Sequence, residues 1–191
     1  MSLTSTNKVS IRYKSGGHSF SAKEVESLTA QRKSVEIRVV THKTVLMPAA
    51  HYDSQMGMQL LTSMGLTPSC TENVVATSER EGMVAVMAVD REFADGVAQL
   101  KGDVALTSPL LDAPVERGTI IELDGDVAFI RVYDGSLRFA EAVTIGSDAG
   151  LSYLAEKLNT IYSIYNMNAH ARGDVERVKR VCGRCFKNIV E

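Results

Sequence analysis

The chain has 191 residues, 45% of them apolar, and a formal net charge of −2. This composition supports a buried core in one domain or two small ones and excludes a mainly disordered chain. No segment approaches the ~20 apolar residues of a membrane-spanning helix, and the N-terminus lacks the apolar stretch of a signal peptide. A nearly neutral charge also argues against a broad nucleic-acid surface. We therefore expect a cytoplasmic protein that does not bind nucleic acid.

The start of the chain is predicted to be rich in strands, after a disordered N-terminus over residues 1–7. Alternating apolar residues predict strands, and the glycines between them predict a turn. The predicted strands are Val9–Lys14, Gly17–Phe20 and Val35–Val40, with a turn at Ser15-Gly16-Gly17 and a short helix over Ala22–Gln31.

The next segment is predicted to begin with a helix over Pro48–Met64, because Tyr52, Met56, Leu60, Leu61 and Met64 recur at helical spacing. Methionines in such a stripe are typical of a buried core rather than of a sulfur ligand set. The elements predicted after it are strands at Val74–Ser78 and Met83–Val89, a helix from Asp90 through Leu100 and a strand at Asp103–Leu106.

The segment Gly118–Tyr153 predicts three consecutive strands and a capped helix. The strands are expected at Thr119–Leu123, Val127–Tyr133 and Leu137–Ile145, with glycine-containing turns between them. A helix capped by Ser147 or Asp148 should follow. Its predicted buried stripe consists of Leu151, Leu154, Leu158, Ile161 and Tyr165.

The last segment, Asp174–Val190, predicts an amphipathic helix with a Val/Cys/Phe face and a Lys/Arg face. A basic amphipathic helix can lie on an anionic membrane or dock on a partner. Packing of its apolar face on the domain is the favoured interpretation, so we do not expect membrane contact.

Two cysteines, Cys182 and Cys185, lie one turn apart in this predicted helix. Zinc needs about four ligands, so Cys70 and His170 would have to converge on them from elsewhere. A thioredoxin-like redox role would require the pair at the N-terminus of a helix. We therefore interpret both as small buried hydrophobic residues and predict no metal site.

The chain resembles the actin-like ATPase superfamily, because two halves with this strand-then-helix order follow one another. It more closely resembles a domain family of Bacteroides-type bacteria with that fold and unknown function, through VSIRYKSGGHSFS, VLMPAAHYD and IIELDGDVAFIRVYDGSLRFAEAV. The resemblance implies an α/β protein with mixed sheets and a ribonuclease H-like, actin-like ATPase fold in two similar subdomains. The first would span residues 8–112. The second, over residues 117–191, would be abbreviated and would end in the amphipathic helix. Too few residues follow Tyr165 for the strand, helix and Gly-Gly adenosine loop that complete the second half in nucleotide-binding relatives.

In that superfamily two glycine-containing hairpins, each near an acidic residue, hold magnesium and the nucleotide phosphates. The positions that match here are Gly16 and Gly17 in the first hairpin, and Glu122, Asp124 and Gly125 in the second. The first strand ends in Arg12-Tyr13-Lys14 without the expected acid. In the second, Asp124 takes a glycine position and Val127 a hydroxyl position. The five residues are therefore candidate nucleotide contacts only if a site persists, and we interpret them as hairpin residues.

The function that follows is a non-catalytic binding or scaffolding module with no cofactor and no catalytic residue. Two alternatives remain open: a weak ATP-binding protein or ATPase, and a membrane-surface or metal-linked accessory protein. The expected partner is another protein, and a homodimer could cover exposed sheet edge.

Overall fold

The protein is described by a computed structural model over residues 8–14, 22–31 and 34–191, and the chain divides between Leu111 and Asp112 into two compact units. The expected disordered segment 1–7, the Ser15-Gly16-Gly17 turn and the Gly17–Phe20 strand lie outside the described residues.

A parallel three-stranded sheet forms part of the first unit. Strands β1 (Lys8–Lys14), β2 (Ser34–Val40) and β6 (Val104–Thr107) lie in the order β1-β2-β6. Apolar residues of β1 and β2 share one core with the helices α1 (Ala22–Ala30) and α3 (Arg91–Gln99). The predicted strands and helices in these stretches are confirmed within a few residues at each end.

An antiparallel sheet forms the rest of the first unit. Its central strand β5 (Met83–Asp90) lies between β3 (Thr44–Pro48) and β4 (Glu72–Ala76), and helix α2 (Gly57–Ser63) packs beside it. Alternate residues of β5 enter two different cores, one shared with the parallel sheet and one shared with α2. This explains why β5 is apolar along its whole length, since both of its faces are buried.

The predicted helix over Pro48–Met64 is wrong in its length and in its buried face. The chain makes short 3₁₀ turns at Ala49–His51 and Ser54–Met56 before α2 begins, and the Asp53 carboxylate caps the second turn by accepting from the Gln55 amide at 2.9 Å. Leu61 is fully buried, whereas Met64 is 60% exposed. The three-stranded sheet β3-β5-β4 covers only one narrow side of the short helix α2, so most of the methionines are exposed to solvent.

The second unit is built on one mixed five-stranded sheet. Strands β7 (Arg117–Asp124), β8 (Val127–Asp134) and β9 (Leu137–Thr144) form the predicted antiparallel meander. Strands β10 (Asn168–Gly173) and β11 (Asn188–Val190) run parallel to β7, giving the order β11-β10-β7-β8-β9.

Helix α4 (Asp148–Tyr162) begins where the sequence predicted, since the Ser147 hydroxyl accepts a hydrogen bond from the Gly150 amide at 3.2 Å. Its leucines Leu151, Leu154 and Leu158 are buried against the sheet. The predicted stripe was too long, because the helix ends at Ser163 in a left-handed conformation and leaves Ile161 and Tyr165 more than half exposed.

The prediction for the C-terminal segment is wrong beyond its first turns. Helix α5 covers only Val175–Cys182, a 3₁₀ turn follows, and the chain ends in β11. Of the strand, helix and Gly-Gly adenosine loop expected to be missing after Tyr165, the strand and the helix are present as β10 and α5, so the expectation is wrong for these two elements.

Each unit contains the same parallel trio, β1-β2-β6 in the first and β7-β10-β11 in the second. A helix precedes the second strand of each trio (α1 or α4), and another precedes the third (α3 or α5). The first unit differs by the insertion of β3, α2, β4 and β5 before α3. No helix in the described part of the chain is long and apolar enough to cross a membrane.

Candidate functional site

The hairpin between β7 and β8 is the described region that corresponds to the second predicted phosphate hairpin. Asp124 pairs with Val127, so the turn consists of Gly125 and Asp126. Gly125 has a φ of 61°, and a glycine with positive φ at the first central position is typical of a tight type II′ hairpin turn. The glycine is therefore explained by the turn itself.

Three carboxylates lie at this hairpin, and one of them, Asp124, takes a glycine position. Glu122 is buried, Asp124 is half-buried and Asp126 is exposed at the tip. A phosphate brought to this tip would meet negative charge, which is unfavourable unless a cation bridges the groups. Among the residues that the structure describes, no three Asp, Glu, His or Cys side chains converge to hold a metal ion.

The start of α5 closes tightly on the end of β7. The Asp174 amide donates to the Leu123 carbonyl at 3.0 Å. Gly173, just before it, has a φ of 72°, and a Cβ at this position would overlap the Leu123 carbonyl oxygen. The Asp174 carboxylate then caps α5 by accepting from the Arg177 amide at 3.1 Å. The helix N-terminus beside the hairpin is thus capped by its own side chain.

Two arginines of α5 on this side of the second unit already have partners. Arg177 donates from Nε to Asp148 at 2.6 Å and from Nη1 to the Gly125 carbonyl at 3.4 Å. Arg180 donates to the other oxygen of Asp148 at 3.1 Å. The hydrogen bond from Arg177, together with that from Arg180, lowers the pKa of Asp148. This carboxylate therefore stays ionised at neutral pH and occupies both arginines.

The structure describes three of the five predicted site residues. Glu122, Asp124 and Gly125 lie together at the end of β7 and its turn. Gly16 and Gly17 lie outside the described residues, so their relation to this hairpin stays a prediction.

Sequence reasoning missed a buried arginine in the second unit. Arg131 is 1% exposed, and its Nη1 donates to the Asp112 carbonyl and, at 3.4 Å, to the Tyr133 hydroxyl. Arg172 donates to the Asp112 carboxylate at 3.0 Å. Burial lowers the pKa of Arg131, and its Nη2 has no hydrogen-bond partner within the described part of the chain. The available signal was a lone charge in the otherwise apolar strand Val127–Tyr133.

The two C-terminal cysteines belong to the core of the second unit. Cys182 is fully buried, and Cys185 is partly buried against the same core. Burial raises the pKa of Cys182 to about 12 and also raises that of Cys185. A thiol with a raised pKa is a poor nucleophile at neutral pH, so this environment suits packing better than redox chemistry.

Comparison with known proteins identifies the fold. A crystal structure from Bacteroides thetaiotaomicron, of a protein with an actin-like ATPase fold and unknown function, superposes with a TM-score of 0.70 at 11% sequence identity, covering 96% of this chain and 90% of that one. The cytoplasmic domain of EpsL, an inner membrane component of the type II secretion system of Vibrio cholerae, matches with a TM-score of 0.43 at 15% identity, covering 86% of this chain and 81% of that one. No protein-family model and no curated protein matches the chain. The chain therefore has the actin-like ATPase fold, with mixed α/β architecture.

Proposed function

We propose that the chain is a non-catalytic binding or scaffolding module that keeps the actin-like fold with a degenerate nucleotide site. The observation that carries this proposal is the β7–β8 hairpin, where Asp124 stands at a glycine position of the phosphate hairpin and the exposed Asp126 adds a second negative charge at the turn. At an effective dielectric constant of 20, two unit charges 4 Å apart repel by about 4 kcal/mol. Each acidic side chain of the turn would therefore oppose the phosphates of a nucleotide.

The ion pairs beside the hairpin also support the proposal. Arg177 and Arg180 are engaged with Asp148, so recruiting them to phosphate would break existing ion pairs. On this proposal the ligand is another protein, bound through surfaces outside the hairpin.

Thermal unfolding with and without millimolar Mg-ATP tests the proposal. A ligand that binds only the folded state at 100 times its Kd adds about 2.7 kcal/mol, which corresponds to a rise in Tm of about 5–10 °C for a chain of this size. We expect no magnesium-dependent rise, and a clear rise would overturn the proposal in favour of an ATP-binding protein.

Two matched variants locate any effect. Asp124→Ala changes the hairpin, whereas Asp134→Ala changes an exposed carboxylate at the opposite end of the same strand pair. If Mg-ATP raises the Tm of the wild type and of Asp134→Ala but not of Asp124→Ala, the hairpin is a nucleotide site. With no rise in any of the three proteins, the non-nucleotide proposal stands.

A further inference from the structure

The buried Arg131 of the second unit has hydrogen-bond partners on one arm of its guanidinium group only. Its Nη1 donates to the Asp112 carbonyl and, at 3.4 Å, to the Tyr133 hydroxyl. Its Nη2 makes no hydrogen bond within the described part of the chain, although the residue is only 1% exposed. Buried polar groups are almost always hydrogen-bonded, so the two N–H groups of Nη2 require an acceptor.

The charge of this guanidinium group also lacks a dedicated partner. Both acceptors of Nη1 are neutral groups, and the Asp112 carboxylate forms its ion pair with Arg172 at 3.0 Å. Glu122 lies two residues along β7 from Ile120, the residue that pairs with Arg131 in the sheet. Arg131 and Arg172 therefore share the carboxylate of Asp112. An arginine side chain does not deprotonate in proteins, and a buried charge without a counter-charge is strongly unfavourable.

We infer that Arg131 Nη2 binds a small inorganic anion of the size of chloride. Such an anion accepts the two N–H groups and also supplies the missing negative charge, whereas a buried water molecule supplies only an acceptor. Burial limits the size of the ligand, because a residue that is almost completely covered is out of reach of a nucleotide or a protein segment. Arg172 contacts the same aspartate and its side chain is 39% exposed, so positive charge leads an anion from solvent toward Arg131.

The aromatic ring of Tyr133 does not replace an anion. The guanidinium carbon of Arg131 lies 6.0 Å from the ring centroid, which is at the outer limit of a cation–π contact. The hydroxyl of Tyr133 is bound by Nη1 and is a neutral acceptor. This neighbour therefore reduces the cost of burying the charge without balancing it, and it leaves Nη2 unbound.

Thermal unfolding at constant ionic strength tests this inference. Sodium chloride is replaced stepwise by sodium gluconate, whose large anion does not fit a fully buried position. The wild type should gain at least about 2 °C in Tm once chloride exceeds its Kd about five-fold, because a ligand that binds only the folded state stabilises it. A Tm that is the same in chloride and in gluconate overturns the inference.

Three variants assign the chloride response to this cluster. Arg131→Met removes the guanidinium group but keeps an unbranched side chain, so it should abolish the response. Arg138→Met is the matched control, because it makes the same substitution at an exposed arginine of β9, and it should respond like the wild type. Asp112→Asn should respond more strongly than the wild type, because it removes the carboxylate that competes with the anion. A response that Arg131→Met retains, or that Asp112→Asn does not increase, overturns the inference.

Anomalous diffraction with bromide tests the position of the anion in the wild type, without any substitution. Crystals grown in sodium bromide should show an anomalous peak within hydrogen-bonding distance of Arg131 Nη2. A water molecule at this position, or the absence of a peak there, overturns the inference even if Arg131→Met does not fold. Nucleotide is absent from all of these experiments, so their outcome is independent of the Mg-ATP test.

Discussion

The two units follow one plan but differ in how the chain passes from the second parallel strand to the third. In the second unit β10 leads through Gly173 and Asp174 directly into α5. In the first unit a sheet and a helix of their own, Thr44–Asp90, intervene before α3. The direct connection produces a crowded turn against β7, and the insertion produces a second small core around Leu61. The parallel trio is thus common to both units, whereas the connection between its last two strands determines which further elements each unit contains.

The largest expected effect comes from the direct connection. Gly173→Ala would place a Cβ against the Leu123 carbonyl at a residue with a φ of 72°, so both overlap and backbone strain oppose it. We expect a loss of about 4 kcal/mol in the free energy of unfolding, measured by urea denaturation. Hydrogen exchange should also show that the backbone amides of β7 and β10 are less protected than in the wild type.

Gly183→Ala is the matched control in the same segment. Gly183 lies at the end of α5 with a φ of −54°, and no atom lies near the position of its added Cβ. We expect a change of at most about 1 kcal/mol, in the stabilising direction. Similar losses for the two alanine variants would contradict the importance of the close approach to Leu123.

Arg131→Ala tests the buried polar cluster of the second unit. The substitution removes a fully buried side chain and leaves the Asp112 carbonyl without this donor. A cavity and a lost buried hydrogen bond together should cost about 3 kcal/mol. Arg138→Ala, at an exposed position on β9, should change stability by less than about 0.5 kcal/mol. Equal effects of the two substitutions in urea denaturation would show that Arg131 contributes no more than a surface arginine.

Leu61→Ala tests the separate core of the insertion. Leu61 is fully buried among Val84, Val86 and Ala88, so its truncation removes apolar contacts and leaves a cavity. We expect a loss of about 2 kcal/mol, at the low end for leucine because such a small cluster can partly collapse. Met64→Ala, at 60% exposure, should be neutral within about 0.5 kcal/mol. A larger effect from Met64 than from Leu61 would mean that the buried side of α2 has been assigned wrongly.

Local signals were predictable from the sequence, and contacts between distant residues were not. Alternation and turn glycines located β7, β8 and β9, and Ser147 located the start of α4, because each is set by neighbouring residues. Spacing alone failed for Pro48–Met64, since a helical repeat does not reveal how little sheet is available to cover it. Spacing also carried the predicted C-terminal helix past Gly183, where the chain changes to a 3₁₀ turn and then to β11.

The candidate site was also predictable only where its residues are close together in the sequence. The acidic β7–β8 turn could be read from Glu122, Asp124 and Gly125, which are adjacent in the sequence. The contacts of Arg131 and Arg172 with Asp112 join residues 19 and 60 positions apart. No local sequence pattern marks such pairs, so only the structure, in which the sheet brings these residues together, reveals them.

The smallest expected effect concerns Cys182, whose ionisable thiol is buried in the core of the second unit. Burial raises the pKa of this thiol to about 12 in the folded protein, while an unfolded cysteine ionises near 8.5. The folded state therefore holds its proton more tightly, and the stabilisation is complete below about pH 8.5 and is lost as pH rises toward 12. Because this thiol ionises more readily in the unfolded chain, we expect it to lower the free energy of unfolding by about 1 kcal/mol as pH rises from 8 to 9.5.

Urea denaturation across this pH range measures the effect by difference. Cys182→Ala is expected to be less stable at pH 7 because it leaves a small cavity, but its stability should fall less steeply with pH, since it has no thiol to ionise on unfolding. Cys70→Ala removes an exposed thiol and should follow the wild-type slope. Parallel slopes for wild type and Cys182→Ala would mean that the thiol ionises as readily in the folded core as in the unfolded chain, which is incompatible with its burial between α5 and the sheet.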